Sequence, residues 1–298
     1  MRLLSACKLA LRRTLARLGL TGPLLRRLTR EVRSEGDPQA AYSLLVLKPE
    51  RFRGDLPILS GEFGFRLVTL EKGWHQRLLE VGWGPDFNPE NDYYNPPEGS
   101  PAWRRQRAAR AVLRRVLPDL LRRLGADGVL ASSTYYLDNW DYAAVAGELG
   151  IPYLVIYREC FQASQKDIDL QIRLGRMLGH FDGSHVFVHN ETTRKALLDS
   201  GMVDPARISA PGCMRMDPFL RRLAEPRPRR ERPLVTLFSF VPCAVLPHLC
   251  TSFTPGRDVG FVELVDQVHQ RFGALAAAHP EVDFLIKPKW GGDWLEEI

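Results

Sequence analysis

The chain contains 298 residues, of which 45% are hydrophobic and 26% are charged, a balance typical of globular proteins. Its formal net charge of +6 is concentrated in residues 1–33 and 103–123, and the remaining sequence is acidic, which argues against a general nucleic-acid-binding protein. The 5 cysteines are scattered and form no C-x-x-C pair, so they indicate a reduced, cytoplasmic protein without a zinc or redox site.

Residues 1–36 are predicted to form a basic amphipathic helical segment, because apolar residues recur there at helical spacing with arginines between them. The apolar positions of its first helix are Leu4, Cys7, Leu11, Leu15 and Leu18. A second short helix is expected over residues 24–32, ahead of a linker at 36–38. Such a segment either binds a membrane surface that carries anionic lipid or packs on the following domain through its leucines. The arginine-rich helix 103–123 offers the same two alternatives.

Residues 40–223 are predicted to form an N-terminal α/β domain, because short apolar runs of strand length alternate with helical patterns. Such alternation is typical of a mostly parallel, Rossmann-like sheet with helices on both faces. The expected strands are Ser43–Leu47, Arg66–Leu70, Gly128–Ala131, Pro152–Tyr157, His185–His189 and Arg207–Ala210. The expected helices cover residues 103–124, 142–149, 163–180 and 191–200, and residues 84–101 are expected to form a loop.

A linker is predicted at residues 224–233, where prolines and charged residues leave nothing to bury. After it, residues 234–298 begin a second α/β domain, with a strand at 234–240, a helix at 259–278 and a strand at 283–287. This segment is shorter than the roughly 100–150 residues of a usual domain, so we expect a truncated second Rossmann-like domain.

Four segments of the chain, read in order, resemble the GT-B class of glycosyltransferases and their relatives. They are Gly150–Glu159 (GIPYLVIYRE), His185–Glu191 (HVFVHNE), Arg207–Asp217 (RISAPGCMRMD) and Phe284–Pro288 (FLIKP). The third contains a G-x-x-R-x-D pattern similar to one in lipid A Kdo transferases, CDP-glycerol glycerophosphotransferases and, in altered form, UDP-N-acetylglucosamine 2-epimerases. Bacterial surface-carbohydrate biosynthesis proteins are the most similar group. The sequence departs from the pattern at Lys289, where the family has histidine, and it lacks a G-x-G-x-x-G loop.

The resemblance implies a GT-B-like fold and a transferase that moves a sugar from a nucleotide-sugar donor to a cell-envelope glycan or a lipid-linked acceptor. It implies no metal and no cofactor, since the nucleotide sugar is a substrate. The matching location is cytoplasmic, peripheral at the inner face of the cell membrane. Three alternatives stay open: a CDP-alcohol phosphotransferase, a UDP-N-acetylhexosamine 2-epimerase, and a non-catalytic binding or assembly protein. The last alternative rests on the incomplete second domain.

Arg158 and Glu159 follow a predicted strand, at the edge of a parallel sheet where ligands bind. Sugar transfer needs a base for the acceptor hydroxyl and positive charge for the leaving diphosphate. Glu159 is therefore a candidate base, and Arg158 is a candidate clamp on donor or acceptor. A structural ion pair between the two side chains is the alternative.

Further candidates follow the next two predicted strands. Asn190 either contacts substrate or caps the following helix, and the acid directly after it favours the cap. Gly212 permits a tight turn, and the resemblance then places Arg215 in a cleft between the domains, where a guanidinium suits phosphate. Asp217 begins the connecting helix. The alternative for Arg215 is a salt bridge with Asp217.

Candidate substrate contacts also lie elsewhere on the chain. In the second domain, Ser239, Lys287 and Lys289 come at strand ends, where they suit a nucleotide diphosphate. Solvated lysines are the alternative. In the first domain, Asp138 and Trp140 are candidates to contact a sugar ring, unless Asp138 only caps a helix that starts just after it.

Overall fold

The computed structural model describes residues 22–52, 54–84, 87, 93–158, 162, 164–226, 230–239 and 259–288. The chain divides into two compact units, called unit 1 and unit 2 below; unit 1 ends at Ala224 and unit 2 begins at Glu225. Two candidate residues, Glu159 and Lys289, lie outside the described residues, as do residues 1–21 of the predicted N-terminal helical segment.

Unit 1 is built on a sheet of mostly parallel strands. The strands are β1 (Arg33–Glu35), β2 (Ser43–Val46), β3 (Arg66–Thr69), β4 (Gly128–Ala131), β5 (Tyr153–Ile156), β6 (His185–Phe187) and β7 (Ile208–Ser209). They form a 7-stranded sheet in the order β1-β3-β2-β4-β5-β6-β7. Neighbouring strands are parallel except at the edge, where β1 runs antiparallel to β3. The predicted α/β fold with a mostly parallel sheet is confirmed.

The helices of unit 1 connect these strands. They are α1 (Gly22–Leu28), α2 (Asp55–Gly61), α3 (Trp74–Trp83), α4 (Pro101–Leu124), α5 (Leu137–Leu149), α6 (Gln165–Leu178), α7 (Glu191–Asp199) and α8 (Asp217–Ala224). Local sequence sets the bounds of the longest one, α4. Ser100 Oγ accepts a hydrogen bond from the Trp103 amide ahead of the first turn, and Gly125 ends the helix in the left-handed conformation, with φ 61°.

The strand order places a topological switch point between β2 and β4. From β2 the chain crosses to β3 through α2, and it then returns past β2 to reach β4, β5, β6 and β7 in turn. Right-handed crossovers that run in opposite directions put their helices on opposite faces of a sheet. The main core accordingly packs α3, α4 and α5 on one face, called the first face, while α2 packs on the other, called the second face.

The second face holds an apolar pocket. Leu45 of β2 and Leu47 just after it point into the core of the first face, whereas Leu44 and Val46 point to the second face. The pocket has a volume of about 550 Å³. Its lining includes Leu44, Leu59, Phe65, Leu130, Ile156, Phe187, Met214 and Leu220. This space follows from the topology, because one crossover, β2 to β3, runs in the direction that places a helix there.

The arginines of α4 make contacts within unit 1. Arg110 pairs with the buried Asp141 at 2.8 Å, and Arg114 pairs with Glu148 at 2.6 Å. Further contacts join Arg104 to the Gly99 carbonyl, Arg105 to the Phe87 ring, Arg107 to the Trp103 ring and Arg122 to Asp119. Much of the positive charge on this helix therefore has an intramolecular partner. In the described parts of the chain, no helix is both long and apolar enough to cross a membrane.

The described residues of unit 2 form a β-α-β arrangement. Its elements are β8 (Leu234–Ser239), α9 (Val259–Ala278) and β9 (Asp283–Pro288). The two strands pair in parallel along their whole length, which ends at Ser239 opposite Pro288. Phe272 on α9 packs edge-on against Phe284 on β9, with ring centroids 5.3 Å apart. The predicted strand-helix-strand order of this segment is confirmed.

The structure corrects several predicted elements. Residues 33–35 form the strand β1 inside the segment predicted as helical, because their backbone completes the sheet edge beside β3. α1 ends at Leu28, four residues before the predicted end. α5 begins at Leu137, ahead of the predicted start at 142, because burial of its polar first turn hides the usual helical pattern. The helices α2 and α3 were not predicted, since they are short and their apolar residues do not show a clear period.

Candidate functional site

The carboxyl ends of β2, β4 and β5 meet at the switch point of unit 1. Ligands bind at such an edge of a parallel sheet, because the connections on either side of the switch point leave a gap between them. Lys48 follows β2, Ser132 follows β4 and Arg158 follows β5. We call this edge the switch-point site. Its residues are Lys48, Arg51, Asp55, His75, Tyr136, Asp138, Arg158 and Arg215.

Lys48 is held in a strained position at this site. It is the one non-glycine residue with positive φ in the described chain, at φ 52° and ψ 66°. Such conformations cost about 1–3 kcal/mol and cluster at functional sites. Lys48 Nζ forms an ion pair with Asp138 Oδ2, which also accepts a hydrogen bond from His75 Nε2 at 3.0 Å. The Lys48 and Asp138 side chains are 17% and 14% exposed, so solvent still reaches the pair.

The contacts of Asp138 determine its charge and the tautomer of His75. Burial acts to raise the pKa of the Asp138 carboxyl, but the hydrogen bond from His75 and the charge of Lys48 outweigh burial, and the pKa lies below its ordinary value. Because the ionised carboxylate can only accept, His75 carries a proton on Nε2. His75 Nδ1 is buried and has no hydrogen-bond partner among the described residues.

Four cationic residues are linked by successive contacts. Lys48 Nζ and Arg51 Cζ lie 5.3 and 5.4 Å from the centroid of the Tyr136 ring. Arg158 Nη1 donates a hydrogen bond to the Arg51 carbonyl at 3.2 Å. Arg215 Nη2 in turn donates to the Arg158 carbonyl at 3.3 Å. The structure therefore brings the candidate residues Arg158 and Arg215 together.

Arg215 has its acidic partner on α2. Arg215 Nη1 donates to Asp55 Oδ2 at 3.1 Å, and the two side chains are 19% and 1% exposed. This pairing replaces the salt bridge with Asp217 that the sequence left open. Burial raises the pKa of the Asp55 carboxyl above its ordinary value, although the Arg215 charge opposes the shift. Asp55 Oδ1 is buried and accepts no hydrogen bond from the described part of the chain.

Two candidates lie on the second face, beside the apolar pocket. Gly212 has φ 109°, a left-handed conformation that supports the predicted tight turn. Asp217 is the first residue of α8, as predicted, and both residues line the pocket. Arg215 lies between them in sequence, so the same short segment contributes to the pocket and to the switch-point site.

The structure places two other candidates in structural positions. Asn190 Oδ1 accepts a hydrogen bond from the Thr193 amide at 2.8 Å, which confirms the predicted cap of α7. Trp140 is 6% exposed and packs against Tyr94 and Phe181, with ring centroids 5.2 and 6.4 Å away. Its ring belongs to the core of the first face, because α5 is buried along most of its length.

The described candidates of unit 2, Ser239 and Lys287, lie at the carboxyl ends of its strands. Ser239 is 5% exposed, and its Oγ lies in a hydrogen bond of 2.7 Å with His269 Nε2. His269 Nδ1 donates to the Val265 carbonyl at 2.7 Å. Lys287 is exposed and lies opposite Phe238 in the strand register, next to Ser239.

Sequence reasoning missed five residues of the switch-point site, which are Lys48, Arg51, Asp55, His75 and Tyr136. Lys48 carries a usable signal, since it follows an apolar strand run in the same way as Arg158 does. Asp55 and His75 carry no such signal, because they lie on α2 and α3, which the sequence pattern did not reveal.

The switch-point site gathers cationic residues near the ends of parallel strands. Lys48 pairs with Asp138 and Arg215 pairs with Asp55, and Arg51 and Arg158 lie beside them. Guanidinium groups suit phosphate because their donors form a planar fork. The described residues contain no group of three His, Cys, Asp or Glu side chains that could hold a metal ion.

Comparison with known proteins finds similarity among solved structures. No family model matches the chain, and no curated protein matches it. A match is found to UDP-GlcNAc 2-epimerase from Neisseria meningitidis bound to UDP-GlcNAc, with 14% sequence identity and a TM-score of 0.38. The match covers 84% of this chain and 66% of that chain, so this chain spans about two thirds of the length of that structure. Similarity at this level does not bear on activity.

Proposed function

We propose that this protein acts in the transfer of a sugar from a nucleotide-sugar donor to an acceptor that carries phosphate, either a cell-envelope glycan or a lipid-linked carrier. The switch-point site of unit 1 binds the anionic group of the acceptor, and the strand ends of unit 2 bind the diphosphate of the donor. The G-x-x-R-x-D pattern supports this class, because its Arg215 is a member of the switch-point site.

The observation that carries the proposal is the cluster of cationic residues at the switch point. Lys48, Arg51, Arg158 and Arg215 are joined by successive contacts near the carboxyl ends of parallel strands. A phosphate monoester carries about −1.5 to −2 charges at neutral pH, and guanidinium groups bind phosphate through a planar fork of donors.

The donor side of the proposal rests on unit 2. Ser239 and Lys287 lie at the carboxyl ends of two parallel strands, the edge at which α/β folds bind nucleotides. Lys287 pairs in register with Phe238, so its side chain and that of Ser239 leave this edge from opposite faces of the sheet. A hydroxyl and an ammonium group are suitable donors to a diphosphate.

The direct test is a binding and turnover assay on the full chain. Isothermal titration calorimetry with UDP-, CDP- and GDP-sugars is expected to show binding of at least one of them. Release of its nucleotide is expected to depend on an added polyprenyl phosphate or short envelope glycan. If the chain binds none of these nucleotide sugars and releases no nucleotide, the proposed function is wrong.

Variants of the switch-point cations test the acceptor site. Lys48→Gln and Arg51→Gln are expected to raise KM for polyprenyl phosphate about tenfold or more, since one hydrogen bond to a charged group contributes roughly 1.5–3 kcal/mol. The matched control is Lys195→Gln, which removes an exposed lysine that pairs with Asp199 at 2.6 Å on α7. Equal KM values in the Lys48 and Lys195 variants would rule out the acceptor role.

The same assay separates the alternatives. A UDP-N-acetylhexosamine 2-epimerase would release nucleotide or epimerised product without an acceptor. A CDP-alcohol phosphotransferase would leave a phosphate of the donor on its product, which mass spectrometry detects. A non-catalytic binding protein would bind a nucleotide sugar and show no turnover with any acceptor.

A peripheral position at the inner face of a cell membrane belongs to the lipid-linked form of the proposal. Arginine-rich segments bind anionic lipid, and salt weakens this attraction. We expect the full chain to cosediment with vesicles that contain phosphatidylglycerol, and to do so less at high salt. Absence of such binding would leave a soluble glycan as the proposed acceptor.

A further inference from the structure

Ser239 and His269 of unit 2 share a hydrogen bond, and a third group determines which of the two side chains donates. The Val265 carbonyl can only accept, so His269 Nδ1 carries a proton in the 2.7 Å contact between them. In a neutral imidazole the other nitrogen is then an acceptor. Ser239 therefore donates its hydroxyl proton to His269 Nε2 across the 2.7 Å contact.

The direction of this hydrogen bond decides whether the Ser239 hydroxyl can donate to a ligand. With its proton committed to His269, Ser239 Oγ presents lone pairs alone, and these repel the oxygens of a phosphate, which also only accept. When His269 is protonated, Nε2 becomes a donor to Ser239 Oγ. The hydroxyl proton of Ser239 is then free to turn toward a phosphate oxygen.

We infer that His269 is a positioning residue which makes the contact between Ser239 and the donor diphosphate depend on a proton. The inference rests on the proposed function, in which Ser239 contacts that diphosphate. Binding takes one proton from solution onto His269 Nε2, and no covalent bond changes. Because binding takes up this proton, affinity for the donor rises as the pH falls.

The described elements packed against His269 carry few charged groups. β8 carries none, and β9 carries Asp283 and Lys287. Asp283 lies at the far end of the strand pair, opposite Leu234, where Arg230 and Arg232 pair with it at 3.8 and 3.4 Å. The charged residues nearest in sequence on α9 itself are Glu263, Asp266 and Arg271. His269 contacts Ser239 through Nε2 and the Val265 carbonyl through Nδ1, so the proton on Nε2 is linked to Ser239 directly.

Calorimetry on the full chain measures this linkage. The UDP-, CDP- and GDP-sugars are suitable probes, because a diphosphate esterified at both ends has no group that titrates near neutral pH. Titrations at pH 7.5 in buffers of different ionisation enthalpy report the number of protons taken up. We expect uptake approaching one proton, and an affinity that falls by up to about tenfold per pH unit toward pH 8.5.

Three variants decide the role of His269. His269→Gln and Ser239→Ala are expected to bind the nucleotide sugar without proton uptake, and Ser239→Ala about tenfold more weakly than the wild type. The control is His279→Gln, which removes an exposed histidine that contacts Glu281 at 3.0 Å just after α9. This control is expected to take up the same proton as the wild type.

Several results would overturn the inference. Binding without proton uptake by the wild type, or equal uptake by His269→Gln, contradicts the linkage but leaves the proposed function standing. Absence of all nucleotide-sugar binding removes both. Nitrogen-15 NMR of the unliganded wild type gives a check that needs no variant. The imidazole shifts are expected to show the Nδ1-protonated tautomer at pH 8, and the opposite tautomer would refute the geometry.

Discussion

Replacing Arg215 with methionine is expected to destabilise unit 1 strongly. The change keeps most of the apolar side-chain volume but removes the guanidinium, whose Nη1 lies 3.1 Å from Asp55 Oδ2. The Asp55 carboxylate is then left buried without its partner, and its Oδ1 already has no hydrogen bond from the described residues. An uncompensated buried charge is among the few causes of large single-mutation effects.

The burial of Arg215 and Asp55 sets the size of the expected loss in the free energy of unfolding. Removing one partner of a buried ion pair costs about 3–5 kcal/mol. Asp55 is 1% exposed but Arg215 is 19% exposed, so solvent already screens part of the pair, and we expect about 3 kcal/mol for Arg215→Met. Asp55→Asn is expected to cost about 1 kcal/mol, because the asparagine oxygen still accepts from Arg215. The double variant is expected to cost about 1–2 kcal/mol, well below the sum of the single changes.

The stability cost of Arg215→Met is expected to change with pH in a definite direction. Burial raises the pKa of Asp55 above its ordinary value of 3.8 even beside Arg215, and more so without it. A carboxyl with a raised folded-state pKa binds its proton more tightly in the folded chain, so its contribution to stability falls as the pH rises from 3.8 through the folded-state pKa. The cost of Arg215→Met is therefore largest at neutral pH and shrinks on acidification.

Urea unfolding followed by tryptophan fluorescence measures these costs at pH 7 and at about pH 4.5. The matched control is Arg221→Met, whose ion pair with Glu62 is 57% and 41% exposed and is expected to contribute less than about 1 kcal/mol. A cost for Arg215→Met no larger than that of the control at pH 7 would refute the reasoning. A cost for Arg215→Met that is larger at about pH 4.5 than at pH 7 would also refute the reasoning.

Three further changes test the described geometry by the same unfolding assay. Asp138→Asn is expected to cost about 2 kcal/mol at pH 7. Because the folded-state pKa of Asp138 lies below its ordinary value of 3.8, this cost disappears as the pH falls through the folded-state pKa, and a constant cost would contradict the ion pair with Lys48. Asn190→Ala is expected to cost about 1 kcal/mol through loss of the cap on α7, and Thr192→Ala, its control, much less. Gly125→Ala is expected to cost about 1 kcal/mol at φ 61°, whereas Gly61→Ala, at a helical position with open space around it, is expected to be neutral or stabilising.

Much of the fold could be predicted from the sequence, because buried strands and amphipathic helices leave local patterns. Gly128–Ala131 and 259–278 have the predicted bounds, and the other predicted strands agree with the structure to within a few residues. Arg158 and Arg215 were also found from the chain itself. Arg158 follows an apolar strand, and Arg215 belongs to a motif that resembles a known one.

What the sequence could not show is which distant residues meet. Arg215 and Asp55 are 160 positions apart, and His75 and Asp138 are 63 positions apart. Such pairs depend on the order of strands in the sheet, which periodicity does not encode. The same holds for the apolar pocket, which exists because a single crossover places its helix on the second face.

Local sequence by itself determined where strands and helices form and which polar residues follow the strands, because burial on one face of an element repeats at the period of that element. Tertiary structure decided the switch point between β2 and β4, the left-handed Lys48 beside Asp138, and the burial of Trp140 in the core. These features arise from packing between segments far apart in the chain, and packing selects partners by position in space.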